Sequence, residues 1–421
     1  MKENSRILIK LLSKAIRNQE PDWDEITALL EASQIHWPTL YEEALAHQVH
    51  TLIYPMVSKL KNINPSLAPD PTLFSQWKKE TQTEAIRQIQ QVQIIKEILK
   101  AFYKEKIPVI VLKGLLLREY YPNPDLRTMG DADLLTHAQD RYRIKKILKQ
   151  FNFIENKVSN KHISYINKNH PFIIEVHTWL SDSHPDDFSI DFEEALWKDT
   201  INISLLGAPT MALSVDHHLL HLIIHMKNHI ISAGFGLRQL CDFVVFMEAN
   251  EKELNWDYIL RCSQQLQLKT FMISLFLLCN QLFDLKIPRQ VTIQEADSSK
   301  TLKDQRYIDL FVRDILDSGV YGRRNPERPM SSLLIRYSKP DHPSGRFGRV
   351  KKMLQFYFPS SKNLSNRYPY AKKYPFLLIF AWFHRAFTNL SRIGKYKVSP
   401  QAEKLSQERV KLLQWLQIQK H

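Results

Sequence analysis

The sequence predicts an α+β fold in which a small mixed sheet with flanking helices is embedded between α-helical domains. Three observations predict it. Helical periodicity fills roughly the first hundred residues, short β-branched runs begin at Pro108, and the helical period returns from Ser214. A chain of 421 residues is too long for one ordinary core, so about two or three domains are expected. The expected division is an N-terminal helical region 1–105, an α/β core 106–205, a helical domain 206–295 and a basic, aromatic-rich C-terminal region 296–421.

In the first region "WDEITALLEASQI" and "LYEEALAHQVHTLIYPMVSKL" place apolar residues at three and four spacings, with Pro38 and Pro55 as punctuation. The clearest helix is Glu84 to Lys104, where Ile86, Ile89, Val92, Ile95, Leu99 and Phe102 form one apolar stripe suited to packing. "PVIVL" is then long enough for a buried strand and too short for a helix. Gly114 ends it, "LLLREYY" starts a short helix, and the proline-rich "YPNPD" stops that helix. "DADLL" predicts a second strand and "AQDRYRIKKILKQF" an amphipathic helix. "HISYI" and "PFIIEVHTWL" predict a hairpin across the turn residues "NKNH". Beyond Ser214, "VDHHLLHLIIHMKNHI", "LRQLCDFVVFMEA" and "WDYILRCSQQLQLKTFMISLFLLCNQLF" predict three helices. No internal repeat and no low-complexity segment stands out.

Composition narrows the class. A hydrophobic fraction of 44% and a charged fraction of 24% are ordinary globular values, and no apolar run approaches the roughly 18 residues of a membrane span. The start, "MKENSRILIKLLSKAI", lacks an uninterrupted apolar run and a small-residue cleavage site, so no signal peptide is expected and the cytoplasm is the expected compartment. Cys241, Cys262 and Cys279 are odd in number and form no CxxC, which fits reduced thiols. The net charge of +14 is uneven. Tyr321 to His421 carries 21 Lys and Arg against 4 Asp and Glu, +17, leaving 37 against 40, −3, for residues 1–320. A basic region of that size suits phosphate-bearing partners, and equally a solvated surface.

Residues two apart in a strand share a face, so Asp131 and Asp133 in "DADLL" present paired carboxylates. At about 4 Å and an effective dielectric near 20, their repulsion is on the order of 4 kcal/mol. A divalent cation offsets it directly, since magnesium takes hard oxygen ligands together with substrate phosphates. The structural alternative is a strand end facing water. Glu175 adds a third carboxylate inside the apolar "FIIEVHTW", where an unpaired charge is expensive, and it shares its face with Ile173 and His177. Placed beside "DADLL", this strand would complete the carboxylate set of a two-metal phosphoryl-transfer centre. Lys113 and Gly114 at a strand-to-helix turn, with Arg127 four residues before Asp131, supply the complementary phosphate-binding chemistry.

"VLKGLLLREYYPNPDLRTMGDADLL" followed by "IEVHTWL" resembles the uncharacterised nucleotidyltransferase family of the DNA polymerase beta-like nucleotidyltransferase superfamily. "AHQVHTLIYPMV", "LLHLIIHMKNH" and "LRQLCDF" extend the resemblance over roughly residues 20–300. It implies a nucleotidyltransferase-like core, with Gly114 as turn glycine, Asp131 and Asp133 as the metal pair and Glu175 as third ligand. It further implies Mg2+ (or Mn2+) as cofactor, an NTP, ATP by expectation, as donor, and an acceptor that is a small molecule, peptide, protein or RNA. The sequence departs from the superfamily pattern at the turn, where Leu115 replaces the second glycine or serine. The expected function is therefore magnesium-dependent transfer of a nucleoside monophosphate, the alternative being an inactive nucleotide-binding module of the same fold.

His217, His221, His225 and His229 recur every four residues, with His218 adjacent. Such spacing suits zinc, but no acidic or cysteine partner stands at ligand spacing, so residues capping the cleft or partly buried in the helix are expected. Arg238 and Asp242 at i and i+4 suit an intrahelical ion pair; the functional alternative turns Arg238 to phosphate and Asp242 to the acceptor. In the tail, "RFGRVKKMLQFYF", "NRYPYAKKYPF" and "WFHRAFTNLSRIGKYK" suit contact with nucleic acid or an anionic membrane surface through residues 321–421, or a helical subdomain with its basic residues outward.

Overall fold

A seven-stranded mixed sheet forms the centre of the computed structural model. The structure describes residues 2–33, 35–159, 162–170, 172–180, 187–296, 304–322, 324–336, 358, 360, 368–384 and 399–418. The strands are β1 (Val109–Val111), β2 (Asp131–Thr136), β3 (Phe153–Val158), β4 (His162–Asn167), β5 (Ile173–His177), β6 (Ile201–Leu205) and β7 (Ala208–Ala212). Their order is β3-β4-β5-β2-β1-β7-β6. β2 runs antiparallel to β1 and parallel to β5, and β1 runs parallel to β7.

Five helices precede the sheet: α1 (Glu3–Ala15), α2 (Trp23–Ser33), α3 (Trp37–Ala46), α4 (His50–Ile63) and α5 (Pro71–Lys104). Between strands lie α6 (Gly114–Leu117), α7 (Arg141–Gln150) and α8 (Asp187–Lys198). After them come α9 (Val215–Ile231), α10 (Leu237–Asn250), α11 (Trp256–Gln265), α12 (Lys269–Phe283), α13 (Arg289–Ala296), α14 (Gln305–Ser318) and α15 (Arg328–Arg336). A further helix, Pro400–Trp415, packs against α14 and α15. No helix among the described residues is long and apolar enough to cross a membrane.

The α+β class and the expected β4–β5 hairpin are present, and several elements differ from expectation for identifiable reasons. Pro55 does not punctuate its segment but lies inside α4, at the cost of one backbone hydrogen bond. The stripe on α5 is buried only in its second half: Val92, Ile95, Leu99 and Phe102 pack on the sheet, whereas Ile86 and Ile89 are 57% and 45% exposed. Earlier in that helix the buried face rotates to Trp77, Thr81 and Gln88. The long segment after Trp256 breaks into α11 and α12 because Gln267 takes φ 54°. The sheet also extends past residue 205, since Leu206 and Gly207, both at positive φ, turn β6 into β7.

Ala132, Leu134, Ile174 and Val176 pack with Ile95, Leu99 and Phe102 of α5 and Ile144 and Leu148 of α7 in one core. By alternation Asp131, Asp133, Glu175 and His177 occupy the opposite face. The tail segments expected to meet nucleic acid or membrane lie largely outside the described residues, including 337–357 and 385–398.

Candidate active site

Parallel pairing of β2 with β5 sets Asp133 directly beside Glu175 and Leu135 beside His177. Asp133, Glu175 and His177 thus form a group whose ligand atoms all lie within 4.8 Å of one another. Asp131, two residues earlier on the same face, stands just outside that close group. His177 Nε2 is 2.7 Å from Asp133 Oδ1 and 3.6 Å from Glu175 Oε2. Lys113 Nζ donates to the same Asp133 oxygen at 3.1 Å. Its backbone adopts φ 44°, so the lysine that leaves β1 does so with a positive φ uncommon for a side-chain-bearing residue. On β4, paired with β5, His162 Nε2 lies 3.6 Å from Glu175 Oε1.

The carboxylates are electrostatically inequivalent. Burial pushes Asp133 up most strongly, but Lys113 and His177 together outweigh it and hold its carboxyl well below the usual range. Burial, then the charge of Asp133, raises Asp131. Burial followed by Asp133 and Asp131 drives Glu175 up to about 7. His162 falls to about 4 through burial and the neighbouring His177.

The loop entering β2 is fixed by residues distant in sequence. Buried Gln88 of α5 brackets Met129, accepting from its N–H at 3.0 Å and donating to its carbonyl at 3.2 Å. Thr51 Oγ1 donates to the Leu126 carbonyl at 2.5 Å, and Thr128 Oγ1 to the Gln48 carbonyl at 3.2 Å. Arg127 points across to α10, where its Nε and Nη2 bind the two oxygens of Asp242 at 3.0 and 2.5 Å in a buried bidentate pair. Tyr121 Oη donates to the same carboxylate at 2.8 Å. Gly114 is required by close approach, since a Cβ there would fall 2.6 Å from Arg127 Nη1.

Lys113, Gly114, Arg127, Asp131, Asp133, Arg238 and Asp242 line one cleft with His225 and Tyr321, a space of about 510 Å³ including its open mouth. The chain matches the family of uncharacterised nucleotidyltransferases over residues 33–284, more than half of its length. It belongs to that family. No curated protein matches significantly. Among solved structures, the chain is similar to the antibiotic-resistance factor ANT(2'')-Ia in solution, at 13% identity over 38% of this chain and 84% of that one, TM-score 0.30. The crystal structure of ANT(2'')-Ia with adenylyl-2''-tobramycin gives 12%, 42%, 97% and 0.33. An antigenic nucleotidyltransferase-like protein from Paracoccidioides brasiliensis gives 13%, 47%, 93% and 0.31.

In this chain the pair expected between Arg238 and Asp242 gives way to longer-range partners. Asp242 is taken by Arg127 and Tyr121, while Arg238 Nη1 donates to Gln48 Oε1 and, at 3.1 Å, to the Thr128 carbonyl. Arg238 Nε is buried with no partner among the described residues. The histidine stripe divides by depth. His217 is tied to Tyr258 Oη at 2.6 Å and Ser214 Oγ at 3.0 Å, and His221 is buried with both ring nitrogens unpartnered among the described residues. His225 lines the cleft, with the His229 ring 4.3 Å away. Sequence reasoning missed Gln88, His162 and Tyr321. Alternation in "HISYI" puts His162 on the face of Ser164, opposite Glu175, and only strand pairing was lacking to find it.

Proposed function

We propose that this nucleotidyltransferase moves a nucleoside monophosphate from an NTP, ATP by expectation, to an acceptor hydroxyl or phosphate on the carboxylate face of β2 and β5. The observation that carries the reading is the register that sets Asp133 beside Glu175 with Asp131 on the same face. The donor set suits a divalent cation. It offers oxygens from three carboxylates, and the ionised form of Glu175, disfavoured by burial and its acidic neighbours, is the form a cation would restore. The imidazole of His177 makes Mn2+ as suitable as Mg2+. When bound, such a cation supplies charge neutralisation to the phosphates and polarises the transferring phosphoryl group.

The chain's own residues divide the remaining work. Asp131, Asp133 and Glu175 would hold the cation, so the value of about 7 for Glu175 belongs to the cation-free site. Lys113, 3.1 Å from Asp133, needs only to leave that oxygen to offer its ammonium to a phosphate. Arg127, committed to Asp242 through Nε and Nη2, donates from Nη1 to the Thr128 carbonyl at 3.3 Å, keeps one Nη1 hydrogen for the nucleotide side and otherwise fixes the turn.

A second reading, nucleotide binding without transfer, is favoured by Leu115. Its side chain is buried in the sheet core where the superfamily pattern has glycine or serine, so no hydroxyl is available to the phosphates. Purified protein incubated with labelled NTP and candidate acceptors distinguishes the two. Transfer should appear with pyrophosphate release and disappear in the Asp131→Ala, Asp133→Ala double variant. Undiminished turnover in that variant sinks the first reading, and NTP binding without pyrophosphate release selects the second.

A further inference from the structure

The family match ends at residue 284, but the cleft is completed by a residue beyond it, Tyr321. Tyr321 has φ 58° and ψ 27°, the left-handed region that a residue with a Cβ enters only at a cost. Its neighbours impose that conformation. Gly319 and Gly322, at φ 62° and 68°, sit where a Cβ would fall 2.8 Å from the carbonyl oxygens of Ala46 and Ala233 respectively, and Val320 is fully buried. The turn is thus wedged between the end of α3 and the connection from α9 to α10. Strain maintained by surrounding packing is a mark of functional positions.

The ring that this turn presents is supported but not covered. It leans on His229, centroids 5.2 Å apart, and the residue remains 40% exposed at the cleft mouth, whereas Asp133, Arg238 and Asp242 deeper in are buried. Burial and then the charge of Asp131 raise its hydroxyl to about 12, so the ring is neutral at ordinary pH. Arg238, with its unpartnered Nε, lines the same cleft as the ring and the carboxylates Asp131 and Asp133. The cleft therefore offers carboxylate oxygens, a guanidinium and a partly exposed aromatic ring. A nucleotide laid along it has phosphates, then sugar, then a planar base.

We propose that Tyr321 is the platform on which the nucleobase of the NTP stacks, so that the segment after the family match supplies a substrate-binding residue. The inference rests on the nucleotide reading above. Its test is calorimetric titration of the full chain with ATP and with inorganic tripolyphosphate, both in the presence of Mn2+. Tyr321→Ala should weaken ATP about tenfold and leave tripolyphosphate within about twofold, and Tyr321→Phe should restore ATP binding. Equal weakening of both ligands, or unchanged ATP affinity in Tyr321→Ala, overturns the stacking role while leaving the nucleotide reading intact. Failure of the wild-type chain to bind ATP at all overturns that reading and this inference with it.

Discussion

On one face of β2 and β5, Ala132, Leu134, Ile174 and Val176 are sealed against α5 and α7; on the other, Asp131, Asp133, Glu175 and His177 crowd together. The two faces share the same backbone and ladder. The apolar face gains free energy from each group it removes from water. The polar face loses free energy by holding like charges close, and Lys113 and His177 offset only part of that loss, at Asp133. Cohesion and chemistry are therefore separable here by a step of one residue along either strand.

The largest break comes on the polar face. Asp133→Ala should lower the turnover of labelled NTP by about 10³-fold, the scale expected when a centrally placed charge-stabilising group is lost, with circular dichroism unchanged. Next is the buried pair that ties the polar face to α10. Arg127→Ala should cost about 4 kcal/mol in urea unfolding, because it leaves Asp242 buried without its cation. Adding Asp242→Ala should recover part of that loss, and simple additivity in the double variant would mean the two side chains do not act as a pair.

Leu134→Ala probes the other face. It should cost about 3 kcal/mol of stability through cavity formation while leaving nucleotide affinity within about twofold. A stability loss accompanied by an equal loss of affinity would mean the two faces are not separable. The smallest effect has the opposite sign. Glu175 ionises near 7 in the fold and at 4.5 when unfolded, so its destabilising effect is absent below about pH 4.5 and complete above about pH 7. Glu175→Gln should therefore stabilise the cation-free protein by about 2 kcal/mol at pH 8, after allowance for partial exposure, and by nothing at pH 4.5. A gain that does not vary with pH would point away from the carboxylate cluster as its origin.

The sequence revealed what depends on local period. Alternation placed Asp131 with Asp133 and Glu175 with His177, and β-branched runs marked β1, β2 and β5. It did not reveal which strands lie side by side, because β2 and β5 are joined through α7, β3 and β4 and only folding decides their register. The same limit hid Gln88 behind Met129 and gave Asp242 the wrong partner. An i, i+4 arginine is visible on paper, whereas Arg127 meets Asp242 only across the folded cleft. β3, β6 and β7 were missed for local reasons, β6 because it is a mostly exposed edge strand. β3 is an edge strand with charged residues exposed, and the turn before β7 uses leucine where asparagine is the usual signal.

Glycine serves many such turns through backbone freedom, but at Gly114 the missing side chain matters more. The guanidinium of Arg127 occupies the volume that a methyl group would need. The turn after β1 and helix α10 are consequently coupled through Arg127. Any enlargement at residue 114 would be felt first at Asp242, a carboxylate that residue 114 never touches.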